Sequence, residues 1–170
     1  MDNWFVVQTM AGTEEEVRLL CERRIPKDVL KRCYIPYYKE SRRVRGERRE
    51  LRKVLFPGYL ILVAEELKPL ENWLKKAGLH IRLLRSGEMI VPLTEKEQRL
   101  LLRLGGDEQV MEMSEGIIVN SEARIYSGPL QGLEGFIRRI DRHKRKAWVE
   151  LPMFGRMQLV EVGVEIVEKK

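Results

Sequence analysis

The sequence predicts an α+β chain in two domains: an α/β sandwich over residues 1–105 and a small five-stranded β-barrel over 117–170, with a short linker at 106–116. Three observations predict it. Thr13 with Glu16, and Thr94 with Glu97, stand at the heads of apolar-periodic runs, the spacing of a helix capping box. Short apolar runs bounded by glycine and proline fill the rest of the first 105 residues, as strands do. After residue 116 helix signals stop, and five short strand-like runs follow in close succession, the pattern of a small barrel.

Residues 4–9 (WFVVQT) are β-branched and aromatic, a strand that Ala11-Gly12 ends. Val17, Leu20, Cys21 and Ile25 then recur at helical spacing until Pro26. From Cys33 the chain reads as a long β-hairpin, CYIPYYKESRRV and ERRELRKVLFPGYLILV about Gly46. Pro69 suits the first position of a second helix, whose buried face is Leu70, Trp73, Leu74 and Ala77. A strand is expected over 80–84 and a third helix over 94–104. Apart from that last helix, the order is the ferredoxin-like split βαβ. Residues 107–116 (DEQVMEMSEG) are acidic and aperiodic, hence the linker. The barrel strands fall near 123–126, 134–140, 146–151, 156–162 and 164–167.

Charge is concentrated. Residues 39–53 hold eight basic and three acidic side chains, and 138–146 hold six basic and one acidic. These two hairpin tips offer Arg42, Arg43, Arg45, Arg48, Arg49, Arg52 and Lys53, and then Arg142, His143, Lys144, Arg145 and Lys146, to nucleic-acid phosphates. Arginine forks bind phosphate or guanine in bidentate fashion. The plainer alternative is two solvated turns whose charges block edge pairing.

Other classes are disfavoured. Two cysteines and two histidines without ligand spacing point to no metal, no cofactor and a reduced, cytoplasmic chain. Glu14-Glu15-Glu16 reads as the acidic first turn of a helix, and no catalytic residues or phosphate-cradling loop stand out, so an enzyme is not expected. The first residues carry no signal peptide, and the longest apolar run is too short to span a membrane.

The run KVLFPGYLILV at 53–63 puts Pro57 and Gly58 inside an apparent strand, where both weaken a ladder. A bend there would turn Phe56 and Tyr59 outward. The alternative is that both are core residues of a bent strand.

WFVVQTMAGTEEEV, FPGYLIL and YSGPLQGLEGFIRRIDRHKRKAWVELPMFGR, in that order, resemble the NusG family of transcription elongation factors over nearly the whole chain. Within it the arginine-crowded hairpin and short linker are most similar to the specialised LoaP-type antiterminators. The resemblance implies an NGN domain followed by an SH3-like KOW barrel. It implies an apolar patch for the clamp helices of RNA polymerase, here Phe56, Pro57 and Tyr59, extended by Trp4, Phe5 and Met10. It implies a KOW partner surface at Phe154 and Arg156 for a small-subunit ribosomal protein, although Met157-Gln158-Leu159-Val160 replaces the usual Thr-Pro-Val-Glu and Phe154 could instead plug the barrel. The function implied is processive antitermination by a monomer, recruited by an RNA hairpin in the nascent leader transcript and touching bubble DNA. A general NusG-type factor and a ribosome-associated KOW RNA-binding protein remain as alternatives.

Overall fold

The computed structural model describes residues 1–79 and 81–170. The chain begins β1 (Asn3–Gln8), α1 (Glu14–Arg24), β2 (Arg32–Tyr34), β3 (Tyr37–Val44), β4 (Glu47–Val54), β5 (Tyr59–Ala64), α2 (Leu67–Lys76) and β6 (Arg82–Leu83). It continues β7 (Arg85–Ser86), β8 (Met89–Ile90), α3 (Glu95–Gly105), β9 (Val110–Met111) and β10 (Ser114–Val119). It ends β11 (Glu122–Ser127), β12 (Ile137–Asp141), β13 (Lys146–Met153) and β14 (Arg156–Lys169). The strand start expected at His80 lies outside the described residues. Two units form: Met1–Ile35 with Pro57–Gln98, and Pro36–Phe56 with Arg99–Lys170.

In the first unit the sheet order is β2-β5-β1-β6, each strand antiparallel to its neighbours. With α1 between β1 and β2, and α2 between β5 and β6, this is the split βαβ order the sequence predicts. All of β5 is buried, which is why it reads as an unbroken apolar run. Val17 and Cys21 bury one stripe of α1, while Leu20 is half-buried. The Thr94 capping box forms: the Thr94 N–H donates to Glu97 Oε1 (3.0 Å) and the Glu97 N–H to Thr94 Oγ1 (3.2 Å). The Thr13 box does not, because the Thr13 hydroxyl donates to the Met10 carbonyl at 2.7 Å. α2 starts two residues before Pro69, which sits in the first turn instead of at its head. The β7–β8 hairpin has no counterpart in the sequence reading.

The Pro-Gly pair is not inside a strand. β4 stops at Val54 and β5 starts at Tyr59. Gly58 has φ +87°, and a Cβ there would press on the Thr9 carbonyl at 3.0 Å. The Glu14 carboxylate is buried and accepts the N–H groups of Gly12 (2.8 Å) and Gly58 (2.7 Å). One acid of the Glu14-Glu15-Glu16 run is therefore a structural clamp on two loop amides.

The second unit holds a five-stranded sheet, β11-β10-β14-β13-β12, and a three-stranded one, β4-β3-β9. β10 and β14 pair in parallel and the other neighbours in the five-stranded sheet are antiparallel. Two expectations change. The last two barrel strands are one strand, β14: Gly163 marks no turn but a close approach, since a Cβ there would collide with the Lys39 carbonyl on β3. The expected linker at 106–116 is structured, carrying β9 and the first residues of β10. Val110 and Met111 lie parallel to Tyr37 and Tyr38, the Tyr37 N–H donates to the Gln109 carbonyl (2.8 Å), and Gln109, Met111 and Ser114 are buried. The division between units also differs from the expected boundary at 105, because the β3–β4 hairpin and residues 99–105 group with the β-rich unit.

Candidate nucleic-acid and docking surfaces

The β3–β4 hairpin turns on Arg45 (φ +53°) and Gly46 (φ +81°), with Val44 opposite Glu47. Positive φ at both central residues is the type I′ turn, in which asparagine-glycine is favoured. An arginine in that left-handed position costs roughly 1–2 kcal/mol. Arg45→Asn is expected to raise stability by about 0.5–1 kcal/mol, read as a higher thermal midpoint. A lower midpoint would show that the arginine stem contributes packing that outweighs its backbone strain.

The register of the hairpin is unfavourable by itself. Arg42 lies opposite Arg49, and Arg43 opposite Arg48. Like charges facing each other across a ladder destabilise it. The second tip, between β12 and β13, is shaped by Asp141, whose carboxylate accepts the Lys144 N–H at 3.0 Å. That hydrogen bond holds the Asp141 carboxyl below its usual range.

Both tips belong to the second unit and line one cleft of about 680 Å³. The hairpin gives it Glu40, Ser41, Arg42, Arg43 and Arg48, and the β12–β13 tip gives it Arg142, His143, Lys144, Arg145 and Lys146. Glu40 is fully buried, with Arg42 Nη2 at 3.0 Å, Lys146 Nζ at 3.1 Å and Lys53 Nζ at 3.4 Å. Its oxygens are neutralised by ion pairing and not by well-directed hydrogen bonds. Burial pushes the Glu40 pKa up, but Lys146 and then Lys53 pull it further down, and the net shift is downward. Arg145 pairs with Glu165 at 2.9 Å. Among the described residues, Arg43, Arg48, Arg142 and Lys144 have no carboxylate within the 4.0 Å of an ion pair. The Arg48 pKa is depressed by desolvation and then by the neighbouring Arg145 and Arg43.

The remaining expected nucleic-acid residues divide. Arg45 and Arg49 are exposed near the hairpin tip, Arg52 lies over the Tyr37 ring at 4.7 Å, and Lys53 is committed to Glu40.

The expected outward-facing aromatic patch does not form. Phe56 is 1% exposed and meets the Phe154 ring edge-to-face, centroids 5.0 Å apart. Tyr59 is buried and its hydroxyl accepts the Gln8 amide N–H at 3.1 Å; Phe5 is buried as well. Pro57 and Met10 are exposed, and Trp4 is half-buried. Phe154 (φ +59°) and Gly155 (φ +78°) make a second two-residue turn of positive φ, between Met153 and Arg156. A bulky residue is strained there, and burial of its ring against Phe56 opposes that strain. Arg156 is exposed at the tip.

Sequence reasoning missed Tyr34 and Arg32. The Tyr34 ring lies 5.6 Å from that of Trp4, with the Arg32 guanidinium 4.2 Å over it. The local signal was β2 itself, whose alternation leaves Arg32 exposed and Tyr34 half-buried. Among the described residues, no group of three or more His, Cys, Asp or Glu side chains is placed to hold a metal ion, and no helix is long and apolar enough to cross a membrane.

A family model described as transcription termination factor NusG matches residues 2–102. Over 98% of its length the chain is 30% identical to the transcription termination/antitermination protein NusG of Staphylococcus epidermidis, covering 94% of it. It is 27% identical to the protein of the same description from Bacillus subtilis, over 98% of both chains. A solved structure described as domain interaction in Thermotoga maritima NusG superposes with a TM-score of 0.62 at 26% identity, covering 96% of this chain and 94% of that one. The relatives it matches are described as transcription termination/antitermination proteins. The chain belongs to the NusG family of transcription termination and antitermination factors.

Proposed function

We propose that this chain is a specialised, LoaP-type antiterminator that rides on RNA polymerase and is recruited by a hairpin in the nascent leader RNA. The observation that carries this reading is the hairpin register, which sets Arg43 against Arg48, neither of them ion-paired among the described residues, beside Arg49 opposite the Glu40-paired Arg42. Stacked like charges cost stability in the free protein, and an RNA phosphate backbone would relieve that repulsion. The polymerase contact is assigned to the first unit, around exposed Pro57 and Met10 and half-buried Trp4. Buried Phe5 and Tyr59 would shape that surface from beneath. Binding to the clamp helices would favour the closed, unpaused form of the enzyme by its differential affinity for that form. Exposed Arg45 and Arg49 would also reach bubble DNA, and exposed Arg156 would meet a small-subunit ribosomal protein.

A second reading, a general NusG-type factor with no RNA recruiter, is favoured by the near full-length likeness to general NusG proteins. A titration separates the two. Purified protein is mixed with a leader-derived hairpin and with a scrambled hairpin, at two salt concentrations. Hairpin-selective binding that survives moderate salt is expected for the specialised factor. Equal, weak binding that vanishes with salt is phosphate attraction alone and would leave the general reading.

A further inference from the structure

We infer that the two basic tips of the second unit form one bipartite site, a cleft that grips the sugar-phosphate backbone of a single RNA duplex from both sides. This rests on the RNA-recruited reading and specifies how the RNA is held. Hairpin arginines Arg43 and Arg48 and the β12–β13 tip residues Arg142, Lys144 and Arg145 come from segments about a hundred residues apart in sequence, yet line the same cleft. Their charges interact: Arg145 and Arg43 both act on the Arg48 guanidinium. The ion pair of Lys146 with Glu40, at 3.1 Å, ties the β13 end of one tip to the floor of the hairpin. The two arms are therefore presented as one surface.

The lining also selects the ligand. Among the described residues lining the cleft there is no phenylalanine, tyrosine or tryptophan, and the ring of His143 is the one aromatic on which an unpaired base could stack. Single-strand sites combine a basic groove with such stacking platforms. A cleft dominated by arginine and lysine, with Glu40 buried among its ion pairs, suits a duplex, which is held by phosphate and 2′-hydroxyl contacts and recognised by shape.

The test uses the full chain and a blunt RNA duplex of about 16 base pairs, the span that shape-reading domains cover. Two double variants, Arg43→Ala with Arg48→Ala and Arg142→Ala with Lys144→Ala, are titrated across a salt series. All four positions are exposed. Each pair should weaken binding at least tenfold and reduce the slope of log affinity against log salt by about 2, with one protein bound per site on the same duplex. Arginine-to-lysine variants at 43 and 48 should keep most of the slope, which separates lost contacts from lost fold. If either pair leaves affinity and slope unchanged, only one tip binds and the bipartite site is wrong. A DNA duplex of the same sequence binding equally well would overturn the assignment to RNA. Leader-hairpin selectivity that survives both pairs of substitutions would sink the cleft and leave RNA recruitment intact. Two-armed duplex binding without hairpin selectivity would support the cleft and remove the recruitment reading.

Discussion

Replacing Phe56 with alanine is expected to lower the stability of the protein by about 3–5 kcal/mol, the usual cost of removing a buried aromatic ring. Phe56 is 1% exposed and packs edge-to-face on Phe154. The substitution would leave a cavity and would also expose Phe154, whose left-handed backbone is opposed by that contact. Urea unfolding of the full chain, followed by circular dichroism, measures it. The contrast with a docking role is direct. A surface aromatic would lose polymerase affinity on truncation and keep its unfolding midpoint. A midpoint unchanged within error would return Phe56 to the surface patch that the sequence suggests.

Glu40→Gln is expected to cost about 3 kcal/mol, the low end for breaking a buried ion pair. The low end applies because Arg42 and Lys53 are partly exposed, with side chains 49% and 39% accessible, and water screens them. Lys146, at 15%, carries most of the effect. The sign with pH follows from the depressed carboxyl. Its folded pKa lies below the unfolded value of about 4.3. Its contribution is therefore fully present above about pH 4.3 and is lost as pH falls through the folded value. The unfolding free energy of the wild type should drop on acidification below about pH 4.3, and Glu40→Gln should flatten that part of the curve. Parallel acid limbs for the two proteins would mean that Glu40 is not the group whose protonation weakens the fold.

Much of the fold was legible because its signals are local. Thr94 and Glu97 announce a helix start three residues apart, and the unbroken apolar run of β5 marks a central strand. The Arg-rich strands either side of Gly46 pair as read. What failed was mostly non-local. Nothing near Phe56 in sequence reports that Phe154 will cover it. Nothing in SRRVRGERR reports that RHKRK will share its cleft. Gly163 reads as a turn because a glycine needed for close backbone approach looks identical in sequence to one needed for a bend. The expected linker was misread for a different reason. Its strand is two residues long, Val110–Met111, too short to show a period among acidic neighbours. At Thr13 the capping-box letters are present, but the hydroxyl takes the nearer Met10 carbonyl.

The cysteines of the first unit carry a last consequence. Both are unpaired and buried, Cys21 in α1 and Cys33 in β2. Burial pushes the Cys21 thiol up to about 11 and the Cys33 thiol well above its usual value. At neutral pH almost none of either is thiolate, the form that reacts. An alkylating reagent therefore waits for the unit that holds them to open. The rate at which these thiols are consumed is a clock for the opening of the split-βαβ unit, and while that unit is folded its two thiols stay silent toward a thiol-selective reagent.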